Sequence, residues 1–259
     1  MTGALVHAAA VALALAPANA GAARAPVRLT AAPARVMLAG GSRASVRVSN
    51  FGTKRVLVDV SRAGFALDLR GRPEIVRNGG ARSARAWLTF RPAHFVLGLQ
   101  ASAALVVSST LPRHAEPGDH DALVLLTTHA VGAARVAVRL RMGVVVVIRA
   151  PGKVVRLVDL RGARVTGGRR RRRLELVVAN RGNVTESLRH PRAVLSFRRS
   201  GRWAATLASN SRDLRPQTSG LVEFRLPAKL HGVMTARIVV PGDAGRGRSA
   251  LRRTYRLRL

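Results

Sequence analysis

The stretch ASVRVSNFGTKRVLVDV, residues 44–60, decides the fold. Val46 and Val48 fall on one face before Asn50-Phe51-Gly52, and Val56, Val58 and Val60 fall on one face after it. Both flanks therefore carry the two-residue period of a half-buried strand. A turn of this composition between two such runs predicts a β-hairpin. The same design returns in LELVVANRGNVTESL, residues 174–188. There Leu174, Leu176 and Val178 run into Asn180-Arg181-Gly182, and Val184 and Leu188 follow. One module is used twice.

Working outward, short β-rich runs recur on both sides of each module. In the first half they are residues 34–38, 86–90, 94–107, 122–128 and 135–148, bounded by Gly or Pro. Gly40-Gly41 reads as a turn, Pro92 and Pro112 stand at strand ends, and Pro117-Gly118 turns the chain into the strand of Val124 and Leu126. In the second half the runs are 154–160, 193–197, 203–207, 222–226, 233–240 and 254–259, with Gly167-Gly168 as a turn. No stretch holds a 3.6-residue period for long. The expected fold is all-β: two tandem immunoglobulin-like β-sandwiches, at 26–149 and 153–259, joined by a short linker at Ala150-Pro151-Gly152. Trp87 is expected between the sheets of the first.

Length and composition agree. With 259 residues there is room for two cores, and 47% hydrophobic content argues against disorder. Only 3% of residues are aromatic, so Val, Leu and Ala must fill those cores. That suits thin sandwiches better than a large cofactor-holding enzyme. There is no cysteine, hence no disulfide and no thiolate metal site.

The N-terminus predicts export. Residues 4–17 are mostly small and apolar, and Ala18-Asn19-Ala20 places small residues at the two positions a signal peptidase reads, so 1–20 is expected to be a cleaved signal peptide. Its start carries no Lys or Arg. The apolar run is too short for a membrane span, and no later stretch is long enough either. The mature chain is expected outside the cytoplasm, secreted or at the cell surface or periplasm.

The formal charge is +33, carried almost wholly by arginine, since Lys54, Lys153 and Lys229 are the lysines. Such a charge attracts polyanions of any kind in a salt-sensitive way, although heavy arginine use also follows from a GC-rich genome. The second half holds the larger excess. Its sharpest feature is the run Arg169, Arg170, Arg171, Arg172 and Arg173. In an extended segment alternate side chains point to opposite sides, so at most three of these meet one polyanion; the other reading is a solvated turn. Nucleic acid is disfavoured as the partner because stacking aromatics and a recognition helix are missing.

Chemistry has little support. The densest set of potential metal ligands is His114, Glu116, Asp119, His120 and Asp121, but their spacing matches no recognised metal loop, so neither a metal nor another cofactor is expected. No G-x-S-x-G or S-x-x-K motif is present, and Gly40-Gly41 and Gly79-Gly80 precede no helix that would cradle phosphate. Asn183-Val184-Thr185 matches a glycosylation sequon, a short match of low specificity. Binding outranks catalysis.

The segments SVRVSNFGTKRVLVDV, HFVLGLQASAALVVSSTLP and EPGDHDALVLL, with Trp87–Pro92, resemble bacterial cell-surface proteins linked to WxL modules. That resemblance implies an immunoglobulin-like, peptidoglycan-binding first domain and a partner-binding second sandwich. More distantly, the opening strand, the Asn-containing turn and the two-sandwich layout are similar to periplasmic pilus chaperones. The resulting expectation is an exported, non-catalytic envelope protein that recognises anionic cell-wall polymer or another surface protein. A pilus-assembly-type chaperone and a cell-wall hydrolase are the competing readings.

Overall fold

The computed structural model describes residues 27–76, 79–130, 139–168, 171–188, 190–197, 200–241 and 250–259. The export segment at 1–20, Arg169 and Arg170, and residues 135–138 of an expected strand lie outside the described residues.

The first half forms β1 (Leu29–Ala32), β2 (Arg35–Ala39), β3 (Arg43–Asn50), β4 (Val56–Leu67), β5 (Pro73–Val76), β6 (Leu88–Arg91), β7 (His94–Leu97), β8 (Ser102–Ser109), β9 (Gly118–Ala130) and β10 (Arg141–Ala150). These build a four-stranded sheet, β1-β3-β8-β6, and a larger one, β2-β10-β9-β4-β5 with β7 also on β4. The chain changes sheets at Pro33. β1 pairs antiparallel with β3, whereas β2 pairs parallel with β10. Between the sheets lies a core of Val, Leu, Ile and Ala, with Trp87 packed against its margin. The expected strand at 86–90 starts later, because Arg85–Trp87 makes a 3₁₀ turn, and the expected run 94–107 is two strands with Gln100 at a φ of 55° between them.

The second half forms β11 (Val158–Thr166), β12 (Arg173–Asn180), β13 (Glu186–Leu188), β14 (Arg192–Phe197), β15 (Trp203–Ala208), β16 (Arg212–Leu214), β17 (Thr218–Arg225), β18 (Val233–Val240) and β19 (Leu251–Arg258). A three-stranded sheet, β11-β12-β17, faces a four-stranded one, β15-β14-β18-β19, and β13 pairs β16 at the side. A second core of Leu, Val, Met and Phe224 fills the space between. No α-helix occurs among the described residues, so the chain is an all-β pair of sandwiches.

The two hairpins expected from residues 44–60 and 174–188 are corrected by the pairing. β3 bonds to β1 and β8 in one sheet, while β4 bonds to β9, β5 and β7 in the other. Likewise β12 pairs β11 and β17, whereas β13 pairs β16. The first turn is an arch that carries the chain from one sheet across to the other, and the second is an arch from β12 to the side pair of β13 and β16. The alternation was real, but both apolar faces look inward from opposite walls of the sandwich rather than lying side by side.

A buried asparagine holds each arch. Asn50, fully buried, donates from Nδ2 to the carbonyls of Lys54 (2.8 Å) and Gly98 (3.0 Å), and its Oδ1 accepts from the Gly52 N–H (2.9 Å). Asn180 repeats the arrangement with Val184 (2.8 Å), Leu214 (3.0 Å) and the Gly182 N–H (2.9 Å). Each side chain thus satisfies backbone groups that an arch, unlike a hairpin, leaves unpaired. Replacing Asn50 or Asn180 by Ala strands these groups in the interior. Each substitution is expected to lower the unfolding free energy by about 2–4 kcal/mol in denaturant titrations, with Leu at either position no better.

Candidate functional site

The first strands of the larger sheet set up the junction. β9 begins at Gly118, where φ is +111° and an added Cβ would fall 2.0 Å from the Asn183 carbonyl oxygen, so a side chain is excluded on two counts. From there the two-residue period sorts the expected ligand set. His120 points into the sandwich, its ring 4.4 Å from that of Trp87 and its Nε2 2.8 Å from the Glu116 carbonyl oxygen. Asp119 and Asp121 point out of the opposite face, toward the second half. His114 and Glu116 are exposed. The five residues are therefore divided between a core face, an outer face and a loop, and they do not converge.

Asp119 and Asp121 build the joint instead. The buried carboxylate of Asp119 accepts two bonds from Arg149 (2.7 and 3.0 Å) and a third from the Thr185 N–H (2.7 Å), while its own N–H donates to the Asn183 carbonyl (2.7 Å). Asn183, the sequon residue, is engaged by its side chain: Nδ2 donates to the Pro117 and Lys153 carbonyls (3.0 and 2.8 Å), and Oδ1 accepts from the Val155 N–H (2.7 Å). Asp121 is held by both arms of Arg215, whose guanidinium also lies 4.2 Å above the Phe65 ring. Further out, Arg35 pairs with Asp213, and Arg70 pairs with Glu175 (2.7 Å) and Glu223. The Leu221 N–H donates to the Leu69 carbonyl (2.7 Å).

Between these contacts opens a cleft of about 530 Å³. Its floor is the outer face of the larger sheet, with Phe65, Leu67, Leu123, Leu125, Val145 and Val147, and its rim holds Arg35, Arg141 and Arg215. The wall is mostly apolar, and the lining carboxylates among the described residues, Asp121 and Asp213, are each already paired with an arginine. Such a cleft can bury a hydrophobic chain or side chains; it offers no free acid or base.

Next to it lies an unpaired strand edge. β2 covers β10 from Val145 to Arg149, whereas β9 covers it from Arg141 onward. The Val145 N–H bonds to the Ala34 carbonyl, so the backbone groups of Arg141 and Gly143, which face the same way, stand beyond the end of β2 without a ladder partner among the described residues. Sequence reasoning missed this edge, because nothing local shows where a neighbouring strand stops.

Of the basic run, Arg172 donates to the Ala228 carbonyl (3.2 Å) and Arg173 to Glu223 (3.1 Å), while Arg171 is exposed. Two of the three described arginines thus brace the second sandwich itself.

No family model matches the chain, and no curated protein matches it either, so the resemblance to WxL-linked surface proteins gains no support there. Solved structures do match. A chain of the chaperone–tip adhesin complex of CFA/I fimbriae biogenesis is 12% identical, with a TM-score of 0.51 over 88% of this chain and 98% of that one. The class 5 fimbriae chaperone CfaA is 13% identical, with a TM-score of 0.48 over 88% and 98%. The E. coli chaperone DraB is 15% identical, with a TM-score of 0.46 over 90% and 98%. The first of these likenesses spans both sandwiches and is one of fold.

The two joint carboxylates titrate with opposite sign. Burial raises the pKa of Asp119, but Arg149 and the Thr185 amide outweigh it and leave the group below the usual carboxylate range. Its stabilising contribution is then fully present above about pH 4 and lost as pH falls through the lower folded value. For Asp121 burial outweighs Arg215 and pushes the carboxyl up to about 6. Its contribution is fully present below about pH 4 and lost as pH rises through the folded value. In thermal unfolding, the native chain should lose ground relative to D121N between about pH 4 and 7, and its advantage over D119N should shrink below about pH 4. Parallel profiles for the native chain and D121N would contradict this assignment.

Proposed function

We propose that the chain is an exported, non-catalytic assembly chaperone that holds a β-rich surface subunit by its backbone and its apolar face. The observation that carries this reading is the unpaired edge of β10 at Arg141–Val144, set beside an apolar cleft. An extended segment of a partner can add to that edge through backbone hydrogen bonds, while alternate side chains descend to Leu123, Leu125 and Val145. The likeness in fold to a chain of a chaperone–tip adhesin complex supports it, since the match includes both sandwiches. Periplasmic residence follows from the same reading, as does the expected leader at 1–20. The paired state of the cleft carboxylates favours binding over turnover. Recognition of cell-wall polymer, the other expectation, has no comparable geometric support at this cleft.

Backbone pairing and apolar burial are insensitive to salt, which separates this mode from charge steering. Arg141→Pro removes one donor from the free edge and leaves the β9 side of β10 intact. In native envelope extracts the unaltered chain should retain one dominant polypeptide through molar salt, with the Arg141 and Gly143 amides protected from hydrogen exchange in the complex. Arg141→Pro should lose that polypeptide by about tenfold or more while its melting temperature stays within a few degrees. Release by salt, or full retention by Arg141→Pro, would refute the proposal.

A further inference from the structure

The outer face of the sheet β15-β14-β18-β19 carries a second surface, independent of the cleft. Residues opposite one another in an antiparallel ladder share a face, so the registers define it. Arg192 stands across from Val239, which stands across from Arg252; Val194, Arg237 and Thr254 form the next row, and Ser196, Thr235 and Arg256 the next. Val233 lies opposite Arg258, and Trp203 opposite Ser196. Arg192, Arg237, Arg252, Arg256 and Arg258 are all exposed, and none makes an ion pair with a described residue. Among the described residues no acidic one falls on this face.

The described carboxylates of the second sandwich all lie elsewhere: Glu175 and Glu223 on the opposite sheet with Arg70, Arg164 and Arg173; Asp213 with Arg35; Glu186 with Arg156; and Asp159 with Arg161. Asp159, which also lies 3.9 Å from Arg253, is paired within the second sandwich, and the others face the first sandwich or the joint. The result is a plane on which the backbone positions of Arg256 and Arg258 stand about 6.7 Å apart along β19 and those of Arg192 and Arg252 about 10 Å apart across two strand spacings.

One end of the plane is apolar as well as basic. Trp203 is 68% exposed and Val233 44%. Trp203 follows the β14–β15 turn opposite Ser196, whereas Phe197, before the turn, stands opposite the buried Met234 and belongs to the inner face. The Trp203 Nε1 donates to Thr206 Oγ1 (3.3 Å), which lays the indole over the same outer face. A soluble, hydrated polyanion would engage the arginines but would leave this apolar end in water. An anionic bilayer answers both features, since phosphate head groups meet the flat cationic face and the Trp203 indole reaches the head-group and acyl boundary.

We propose that this face docks on the surface of an anionic phospholipid bilayer, with Trp203 as the interfacial anchor, Val233 beside it, and the five arginines as the electrostatic contact. The test is flotation of the full chain with phosphatidylcholine vesicles, with and without about one-third phosphatidylglycerol, across a salt series. Binding should require phosphatidylglycerol, fall with salt, and shift the tryptophan emission to the blue, a shift abolished in W203F. R252Q/R256Q should bind about fivefold more weakly for each arginine removed. R43Q/R47Q, which removes the same charge from an exposed face of the first sandwich, should bind as the native chain does. Equal binding to both vesicle types, or equal loss in the two double variants, overturns the proposal. So does an Arg252- and Arg256-dependent retention on heparin with no emission shift on vesicles, which would assign the face to a soluble polyanion.

Discussion

The arrangement of the whole molecule depends on a buried carboxylate with nowhere else to put its charge. Asp119 is 1% exposed, and an ionised group there is tolerated only if its oxygens are saturated. Arg149, from the adjacent strand of its own sheet, supplies two donors, and the Thr185 amide, from the second sandwich, supplies the third. The sandwiches are thus linked by the solvation of one side chain, and moving them apart would leave that oxygen short of a donor. Asp121 and Arg215 repeat the principle two residues further along the same outer face. A linker of a few residues alone would leave the two halves free to swing. The buried charges convert it into a defined angle, and the cleft exists because that angle is held.

Much of this was legible in the chain, and what was not has a common cause. Period-two alternation at Val46–Val60 and Leu174–Leu188 reported strands and inward faces correctly, because burial imposes it whatever the strand pairs with. It could not distinguish a hairpin from an arch, since that depends on partners such as β8 and β9 far along the sequence. A local signal did exist. Asn50 and Asn180 stand two residues before Gly52 and Gly182, and a side chain that must serve both the i+2 amide and the i+4 carbonyl belongs to a buried turn rather than a solvated hairpin tip.

The five potential ligands of residues 114–121 are parted by the same alternation. His114, Glu116, Asp119, His120 and Asp121 are close in sequence, which makes them look like a ligand loop. Once β9 begins at Gly118, the alternation sends His120 inward and the two aspartates outward, and their partners come from Arg149, Thr185 and Arg215. Extending the strand of Val124 and Leu126 back to the glycine would have separated them on paper. No reading of the sequence would have found the open stretch of β10, which is defined by where β2 ends.

The two candidate surfaces have a geometric relation that neither shows alone. The outer faces of a sandwich point in opposite directions. In the second sandwich, Glu175 and Glu223 turn one face toward Arg70 of the first, so the arginine lattice of β18 and β19 necessarily turns away from it. Charge segregation therefore does two things at once. Acids where the sandwiches meet offset arginines that would otherwise repel across the joint, while the charged side chains described on the far face are all arginines. A molecule resting on its far face would hold the cleft and the open β10 edge clear of the surface beneath it, accessible to an incoming chain from the aqueous side.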